Sequence, residues 1–166
     1  MAIEVRPVRP EEVDEAGDVT ALAYREFATP GDPGWEEYLG RIADVGERHG
    51  RTRVLVAVEG GVILGSVTLE LEGRTEPADD HEPLAPDEAH VRMLGVHPDH
   101  RRRGVARRLM EACFDEARRA GRTRISLSTT KRMRAAQQMY ESFGFRRTAD
   151  RVFPDGFVLL GYERTI

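Results

Sequence analysis

The sequence predicts an α/β (α+β) protein whose mostly antiparallel sheet contains one parallel pair of strands. The first observation is a strand, a helix and a strand in succession, at residues 89–96, 105–120 and 125–128. A crossover of that length favours parallel pairing and opens a ligand crevice at the carboxyl ends of the two strands. The second observation is a pair of β-branched runs, 54–58 and 62–71, joined by two glycines that suit a tight antiparallel hairpin.

The elements before the hairpin are a strand and two helices. Residues 3–6 alternate in polarity like a short strand. Pro10 followed by two glutamates is typical of the first turn of a helix, which is predicted to reach Phe27. A break rich in proline and glycine follows, and the apolar stripe then resumes from Trp35 to Val45, which predicts a second helix.

The elements after the hairpin begin with a loop and end with a second antiparallel pair. Residues 73–87 carry prolines among many acids and show no periodicity, which predicts a loop. Beyond the central crossover, a helix is predicted near 131–142 and is ended by Gly144. Strands are predicted around 145–153 and 158–164.

Composition limits the class of protein. With 166 residues, 40% of them apolar, the chain is predicted to form one domain, 1–166. It has no apolar run near the roughly 18 residues that span a bilayer and no signal-peptide pattern, so we expect a cytoplasmic protein without membrane contact. A net charge of −4 argues against an obligate nucleic-acid binder, and no metal is expected. Cys113, the single cysteine, excludes an intrachain disulfide.

A run of arginines separates the central strand from the central helix. Its sequence is Arg101-Arg102-Arg103-Gly104-Val105-Ala106. A turn that contains glycine at the start of a helix presents unpaired backbone N–H groups, which together with the helix dipole favour a phosphate. An isolated arginine triplet is more typical of a solvated surface. Here the strand before it and the long helix after it favour the phosphate site.

This order of elements resembles the central motif of the GNAT family of N-acyltransferases, which reads Arg or Gln, two residues, Gly, one residue, and Gly or Ala. Arg101, Gly104 and Ala106 fill that motif. The family's later helix, with a tyrosine followed shortly by Gly-Phe, is matched by Ala136, Tyr140, Gly144 and Phe145. The resemblance covers residues 89–145, and two motifs in order are far more specific than one.

The resemblance implies the GNAT fold, a mixed, mostly antiparallel sheet of six to seven strands with a central splayed parallel pair, flanked by about four helices. It also implies an acyl-CoA-dependent N-acyltransferase that moves an acetyl group from acetyl-CoA to a primary amine by direct attack in a ternary complex. Acetyl-CoA is the only co-substrate expected. No motif identifies the acceptor, a small molecule or a peptide, and a homodimer is left open.

Carried over to this chain, the family's donor site falls on the strand end, the arginine run and the later helix. The backbone of Leu94 and Val96 would pair with the acetyl and pantetheine groups, and the N–H groups of 102–106 would hold the pyrophosphate. Met133 stands where the family often has asparagine, a residue that this chain lacks. The full set of expected cofactor contacts is Leu94, Gly95, Val96, Arg101, Arg102, Arg103, Gly104, Val105, Ala106, Arg107, Met133, Ala136 and Tyr140.

The resemblance also implies three catalytic groups. The N–H of Leu94 would stabilise the anionic tetrahedral intermediate, and the phenol of Tyr140 would protonate the departing thiolate. His90 is the general-base hypothesis, because it occupies a strand position where family members often have glutamate and some have histidine. Its reference pKa, near 6.5, suits proton transfer. Glu88 and a chain of waters are the rival bases.

Two other functions fit parts of the sequence. A non-catalytic acyl-CoA-binding or sensor domain would keep the arginine loop without the chemistry, although retention of Tyr140 argues mildly against it. An arginine-rich nucleic-acid binder would use the further arginines of the chain, but Lys131 is the sole lysine, so a composition bias explains the excess. For the acceptor, the acids of 76–88 could attract a cationic amine. An apolar acceptor pocket could be lined by Trp35, Tyr38, Phe153 and Phe157.

Overall fold

Extended apolar runs form one sheet, and helices cover both of its faces. The computed structural model describes residues 2–29, 31–72 and 84–166, and these contain eight strands and five α-helices. The strands are β1 (Glu4–Pro7), β2 (Arg53–Glu59), β3 (Val62–Glu70), β4 (Glu88–Val96), β5 (Arg124–Thr129), β6 (Arg146–Arg147), β7 (Arg151–Val152) and β8 (Val158–Thr165). The helices are α1 (Val13–Arg25), α2 (Pro33–Ala43), α3 (Val45–Arg48), α4 (Val105–Arg119) and α5 (Arg134–Ser142), with 3₁₀ turns at Pro10–Glu12 and Pro98–His100.

The strand order confirms the predicted fold class. The sheet runs β1-β2-β3-β4-β5-β8-β6, with β7 paired to β8. The hairpin between β2 and β3 turns on Gly60 and Gly61, whose φ angles of 58° and 80° are both positive, as a two-residue turn of this kind requires. β4 and β5 are the parallel pair, joined by a crossover through α4, and the remaining pairs are antiparallel.

The parallel pair separates before its strands end. Its ladder runs from Glu88 opposite Arg124 to Val91 opposite Leu127, although β4 continues to Val96. Past Val91, no residue of β4 has a register partner on β5 within the described ranges. A gap therefore opens at the carboxyl ends of the two strands, which is where open sheets with parallel strands bind ligands.

Alternation along the strands divides the sheet into an apolar face and a polar face at the gap. Val91 and Leu127 point to the face covered by α4 and α5, where they join the main hydrophobic core. His90 and Ser126, each one residue away, point to the opposite face, which is covered by α1. The gap can thus be reached from both sides by different kinds of side chain.

The helices on the polar face are more divided than the sequence predicted. The first begins as a 3₁₀ turn, and α1 ends at Arg25, before Phe27. The second is interrupted at Asp44, whose φ of −81° and ψ of 63° leave the helical region and whose carboxylate accepts the N–H of Glu47. The extra helix, α3, is the single turn that follows this break.

The predicted strand at 145–153 is divided by a bulge. Arg147 lies opposite Tyr162, whereas Arg151 lies opposite Leu159, so four steps along one strand match three along the other. The extra residue separates β6 from β7 and raises the strand count to eight, where six to seven were expected. Residues 73–83 of the predicted loop at 73–87 lie outside the described residues. In the described part of the chain, no helix is both long enough and apolar enough to cross a bilayer.

Close packing between α1 and α2 depends on Gly17. A Cβ atom at this position would lie 1.9 Å from the carbonyl oxygen of Ala43 and 2.8 Å from its carbonyl carbon. Backbone atoms cannot rotate away as a flexible side chain would. By contrast, a Cβ atom at Gly40, also in a helix of this pair, would meet nothing within 4 Å.

We expect Gly17→Ala to lower the free energy of unfolding by about 1–3 kcal/mol, because the added methyl forces the two helices apart. The matched control is Gly40→Ala, which makes the same chemical change in open space. It should raise the free energy of unfolding by about 0.5–1 kcal/mol through helix propensity. Urea unfolding of the two variants measures both effects, and effects of the same sign would contradict the packing argument.

An ion pair joins β1 to the start of the first helix. Both guanidinium N–H groups of Arg6 donate to the Glu12 carboxylate, at 2.9 and 2.7 Å, and the Arg9 N–H donates to it at 3.0 Å. The side chains of Arg6 and Glu12 are each 16% exposed. The hydrogen bonds from Arg6 lower the pKa of Glu12 from 4.5 to about 2.

We expect Glu12→Gln to lower the free energy of unfolding by about 1–2 kcal/mol at neutral pH, since a charged hydrogen-bond acceptor is lost. A carboxyl whose pKa is depressed on folding stabilises the protein above its unfolded pKa, and this stabilisation fades as the pH falls. The difference between wild type and Glu12→Gln should therefore shrink between pH 4.5 and pH 2. Chemical unfolding at several pH values measures it, with Glu11→Gln as the exposed control.

Candidate active site

An irregularity in β4 creates the gap between the central strands. Ser66 pairs with Gly95 and Thr68 with Arg92, so Met93 and Leu94 together face a single residue of β3. Met93 adopts a φ of 54°, in the left-handed region that residues with side chains rarely occupy. Within the described residues, Met93 and Leu94 have a register partner on neither neighbouring strand. The bulge therefore turns backbone amide and carbonyl groups of this segment out of the ladders.

The end of β4 packs tightly against α1. A Cβ atom on Gly95 would lie 3.0 Å from Cβ of Ala23 and 3.3 Å from Cγ2 of Thr20. A glycine is thus needed for α1 to approach this closely. Leu94, Gly95 and Val96, which the sequence predicted to contact the cofactor, form one short edge of the gap.

The arginine loop follows directly and leads into α4. His97 accepts the N–H of Asp99 through Nδ1 at 3.1 Å, which forms the preceding 3₁₀ turn. Arg102 and Gly104 then take φ angles of 60° and 76°. Gly104 caps α4, and the first helical bond runs from the Arg108 N–H to its carbonyl oxygen at 3.1 Å. Because the first turn of a helix has no internal acceptors for its N–H groups, the backbone of 105–107 offers donors to an anion.

The side chains of the loop have different roles from one another. Arg101 pairs with Glu26 at 2.5 Å and donates to the carbonyl oxygen of Ala23 at 3.3 Å. Arg103 pairs with Glu59 at 2.7 Å, and this hydrogen bond lowers the pKa of Glu59. These two arginines fasten the loop to α1 and β2.

The remaining two predicted arginines are arranged differently. Unlike Arg101 and Arg103, Arg102 forms no ion pair in the ranges that the structure describes. Arg107 stacks over the ring of Phe143, with 4.7 Å between its guanidinium carbon and the ring centre. The backbone of the loop and the side chain of Arg102 are therefore its most available groups for a phosphate.

Tyr140 lies in the core beneath the gap. The Phe145 N–H donates to the Tyr140 carbonyl oxygen at 3.1 Å and the Gly144 N–H to that of Glu141 at 3.0 Å, which ends α5 with Gly144 at a φ of 84°. This turn folds Phe145 back against Tyr140, with 5.9 Å between ring centres. Tyr140 is 6% exposed, and burial raises the pKa of its phenol. The phenol, whose ordinary pKa is near 10, therefore stays neutral at physiological pH.

Met133 and Ala136 share one face of α5 with Tyr140. Positions three and seven residues apart repeat on the same side of a helix. Met133 begins the helix, where its sulfur accepts the hydroxyl of Thr129 at 3.5 Å, and Ala136 packs against the main core. The structure thus brings the three predicted contacts of α5 to the side of the helix that faces the sheet.

His90 lies on the opposite face of the sheet from Tyr140. Its Nδ1 is 2.8 Å from the hydroxyl oxygen of Ser126, and that hydroxyl donates to Glu88 at 2.5 Å. His90 is 9% exposed. The two rival bases of the sequence analysis, His90 and Glu88, are therefore joined through a serine.

Several polar groups near the gap were not identified from the sequence. Arg92 pairs with the fully buried Glu70 at 3.2 Å, one pleat along from His90. Tyr24 of α1 has its pKa raised by burial and then by its neighbours Tyr38 and Tyr140. In the sequence, the only signal for Ser126 is the alternation of apolar and polar residues along β5.

One open cavity lies beside this arrangement rather than within it. It has a volume of about 500 Å³ and uses the outer face of α5. Its lining includes none of the predicted site residues. The lining residues are Lys131, Arg134, Gln137, Gln138, Glu141, Arg147, Asp150 and Leu160.

Similarity to known proteins identifies the class of protein. The sequence profile of the acetyltransferase (GNAT) family matches residues 18–145, and the chain belongs to that family. A mouse (Mus musculus) relative, the probable N-acetyltransferase family 8 member 5, is 32% identical over 93 residues, which are 56% of this chain and 38% of that protein. The match thus spans less than two-fifths of the mouse protein's length.

Solved structures of similar fold agree with the family. A putative GNAT acetyltransferase from Desulfovibrio desulfuricans has a TM-score of 0.76 at 18% identity and covers 99% of each chain. The PaiA N-acetyltransferase of Thermoplasma acidophilum, in complex with coenzyme A, has a TM-score of 0.74 at 13% identity over the full length of both. YncA of Salmonella typhimurium, with its cofactor acetyl-CoA, has a TM-score of 0.72 at 20% identity and covers 99% of this chain and 94% of that one.

Proposed function

We propose that this protein transfers an acetyl group from acetyl-CoA to a primary amine by direct attack in a ternary complex. The observation that carries the proposal is the gap in the central sheet, with the bulged backbone of Leu94 on one edge and the N-terminus of α4 at its end. Such a gap offers backbone hydrogen bonds to an extended pantetheine chain and amide donors to a pyrophosphate. Two structures of similar fold, described with coenzyme A and with acetyl-CoA, support the choice of donor.

The proposed donor site uses backbone more than side chain. Leu94, Gly95 and Val96 would bind the acetyl and pantetheine groups, and the loop from Arg101 to Arg107 the pyrophosphate. The ion pairs of Arg101 and Arg103 support a positioning role for these two side chains, since each is already bound to a carboxylate. Met133, Ala136 and Tyr140 would complete the wall formed by α5.

The proposed chemistry has three participants. The N–H of Leu94 would stabilise the oxyanion of the tetrahedral intermediate, a contribution that is typically about 10²–10³ in rate. Tyr140 would protonate the thiolate of CoA, since its phenol carries a proton at physiological pH. His90 would accept the proton of the amine from the other face of the sheet. An acyl-enzyme on Cys113 is disfavoured because this thiol lies in the core and burial raises its pKa.

The acceptor is proposed only by class, as the primary amine of a small molecule or a peptide. A cytoplasmic enzyme that binds neither membrane nor nucleic acid remains our expectation, and a homodimer remains open. The second candidate function is a non-catalytic acyl-CoA sensor. One observation supports a sensor specifically. The backbone of the loop could bind the donor without any contribution from His90 or Tyr140.

An acceptor screen distinguishes the two functions. Purified protein is incubated with acetyl-CoA and, in turn, amino acids, peptides, polyamines and aminoglycosides, and release of free thiol is followed. We expect release that depends on the acceptor for at least one class. Tight binding of CoA by calorimetry, with no thiol released above the rate without acceptor, would instead identify a sensor.

We expect Tyr140→Phe to reduce kcat by about 10²-fold or more while the Kd for acetyl-CoA stays within about twofold, because only the proton donor is lost. Tyr162→Phe is the matched control, since it removes the hydroxyl of a second core tyrosine, one that donates to Glu141 at 3.2 Å. Its turnover should stay near that of wild type. Turnover in Tyr140→Phe equal to that in Tyr162→Phe would exclude the general-acid role.

A further inference from the structure

We propose that Ser126 is a positioning residue that links His90 to Glu88 and so sets the tautomer and basicity of the imidazole. The inference rests on the proposed function, in which His90 accepts the proton of the amine. Neither Ser126 nor a connection between the two rival bases follows from the sequence motifs. The link is a property of the parallel ladder.

The register of the parallel pair brings the three residues together. His90 lies directly opposite Ser126, one pair before the strands separate. Glu88 is two residues before His90 on β4, so its side chain points to the same face. Ser126 Oγ lies 2.8 Å from His90 Nδ1 and 2.5 Å from Glu88 Oε1. The serine hydroxyl therefore bridges the ring to the carboxylate.

The direction of these hydrogen bonds follows from the available donors. An ionised carboxylate can only accept, so the single hydroxyl hydrogen of Ser126 points to Glu88. The hydroxyl oxygen then accepts from Nδ1–H of His90. In this tautomer the lone pair of the ring is on Nε2, and this is the nitrogen that would take a proton.

The transfer step balances with these groups. As the amine nitrogen forms its bond to the carbonyl carbon, its proton passes to Nε2 of His90. The C–S bond then breaks, and the thiolate takes the proton of Tyr140. The imidazolium keeps its Nδ1–H bond to Ser126, and the negative charge of Glu88, one hydroxyl away, stabilises the positive charge of the ring. Solvent then takes the proton from His90 and returns one to Tyr140, so both groups regain their starting states and no covalent intermediate is needed.

The carboxylate of Glu88 is itself held in place. The Ala85 N–H donates to Oε2 at 3.2 Å, and Arg124 lies 3.5 Å from the same oxygen. Arg124 also pairs with Asp87 at 3.3 Å and with Glu163 of β8 at 2.9 Å. Arg124 is thus shared among three carboxylates, and the negative charge of Glu88, one hydroxyl from the ring, favours the protonated imidazole.

Other charged groups reach His90 from the neighbouring elements that the structure describes. Glu70 of β3 is its register partner on the other side and pairs with Arg92 at 3.2 Å. From the helical layer, Arg48 donates to Thr68 at 3.2 Å and Tyr24 lies near Arg92. Glu70 and Arg92 pair with each other, whereas Glu88 is linked to the ring through the hydroxyl of Ser126.

The test compares Ser126→Ala with Ser126→Thr, which keeps the hydroxyl, and with Ser142→Ala, a serine that bonds only a helix carbonyl. The acidic limb of kcat/KM and the NMR titration of the His90 imidazole, both with CoA or acetyl-CoA present, are measured. For Ser126→Ala we expect kcat to fall about tenfold or more and the limb and the imidazole pKa to move down by about one unit. Glu88→Gln should give the same downward shift, and Ser126→Thr and Ser142→Ala should stay near wild type.

Each failure has its own signature. If wild type releases no thiol with any amine, the proposed function fails, while the imidazole titration still reports whether Ser126 and Glu88 act on His90. If wild type is active and Ser126→Ala leaves both the limb and the titration unchanged, the link is overturned. A shift in Glu88→Gln without one in Ser126→Ala would also overturn it, because Glu88 would then act through space. If Ser126→Ala does not fold, Ser126→Cys, whose thiol is a weak donor and acceptor, takes its place: a downward shift of the imidazole pKa supports the link, and an unchanged titration overturns it.

Discussion

The separation of β4 from β5 is the constraint on which the rest of the site depends. Two strands that paired to their ends would use their backbone groups on each other and leave none for a ligand. Here the bulge at Met93 and Leu94 removes that segment from the β3 ladder, while pairing with β5 stops at Val91. The strained φ of 54° at Met93 is maintained by burial of its side chain between α1 and α2, in a cluster with Leu39 and Ile42.

The two faces of the sheet supply different chemistry to this one gap. On the apolar face, the phenol of Tyr140 is buried among the rings of Phe145 and Tyr162, and burial raises its pKa. On the polar face, His90 and Ser126 form a hydrogen-bonded chain that ends on a carboxylate. In the proposed reaction Tyr140 would donate a proton and His90 would accept one, and their separation by the sheet gives each group its own environment.

Ion pairs around the arginine loop distinguish arginines that look alike in the sequence. In the sequence, the three consecutive arginines are equivalent sources of positive charge. In the structure, Glu26 and Glu59 neutralise Arg101 and Arg103 and fix the loop to the body of the protein. This leaves the backbone amides, which would lose no side-chain entropy on binding, and the side chain of Arg102 as the groups of the loop that are most available to an anion.

The elements and their order could be predicted from the sequence because they depend on local periodicity. The hairpin at Gly60 and Gly61, the crossover helix and the end of α5 at Gly144 each follow from neighbouring residues. The predictions differed from the structure at two places where a single residue interrupts an element, at Asp44 and at the bulge between β6 and β7. Neither interruption changes the hydrophobic pattern, so the pattern could not predict it.

The sequence by itself determined the family motifs, the parallel pair and the identity of the candidate groups Leu94, His90 and Tyr140. Only the tertiary structure decided which groups meet. The register that sets Ser126 opposite His90, the pairing of Arg92 with Glu70 and the sharing of Arg124 all join residues that are distant along the chain. Periodicity specifies the face of an element, whereas register and packing specify its neighbour, and the chemistry of a site depends on neighbours.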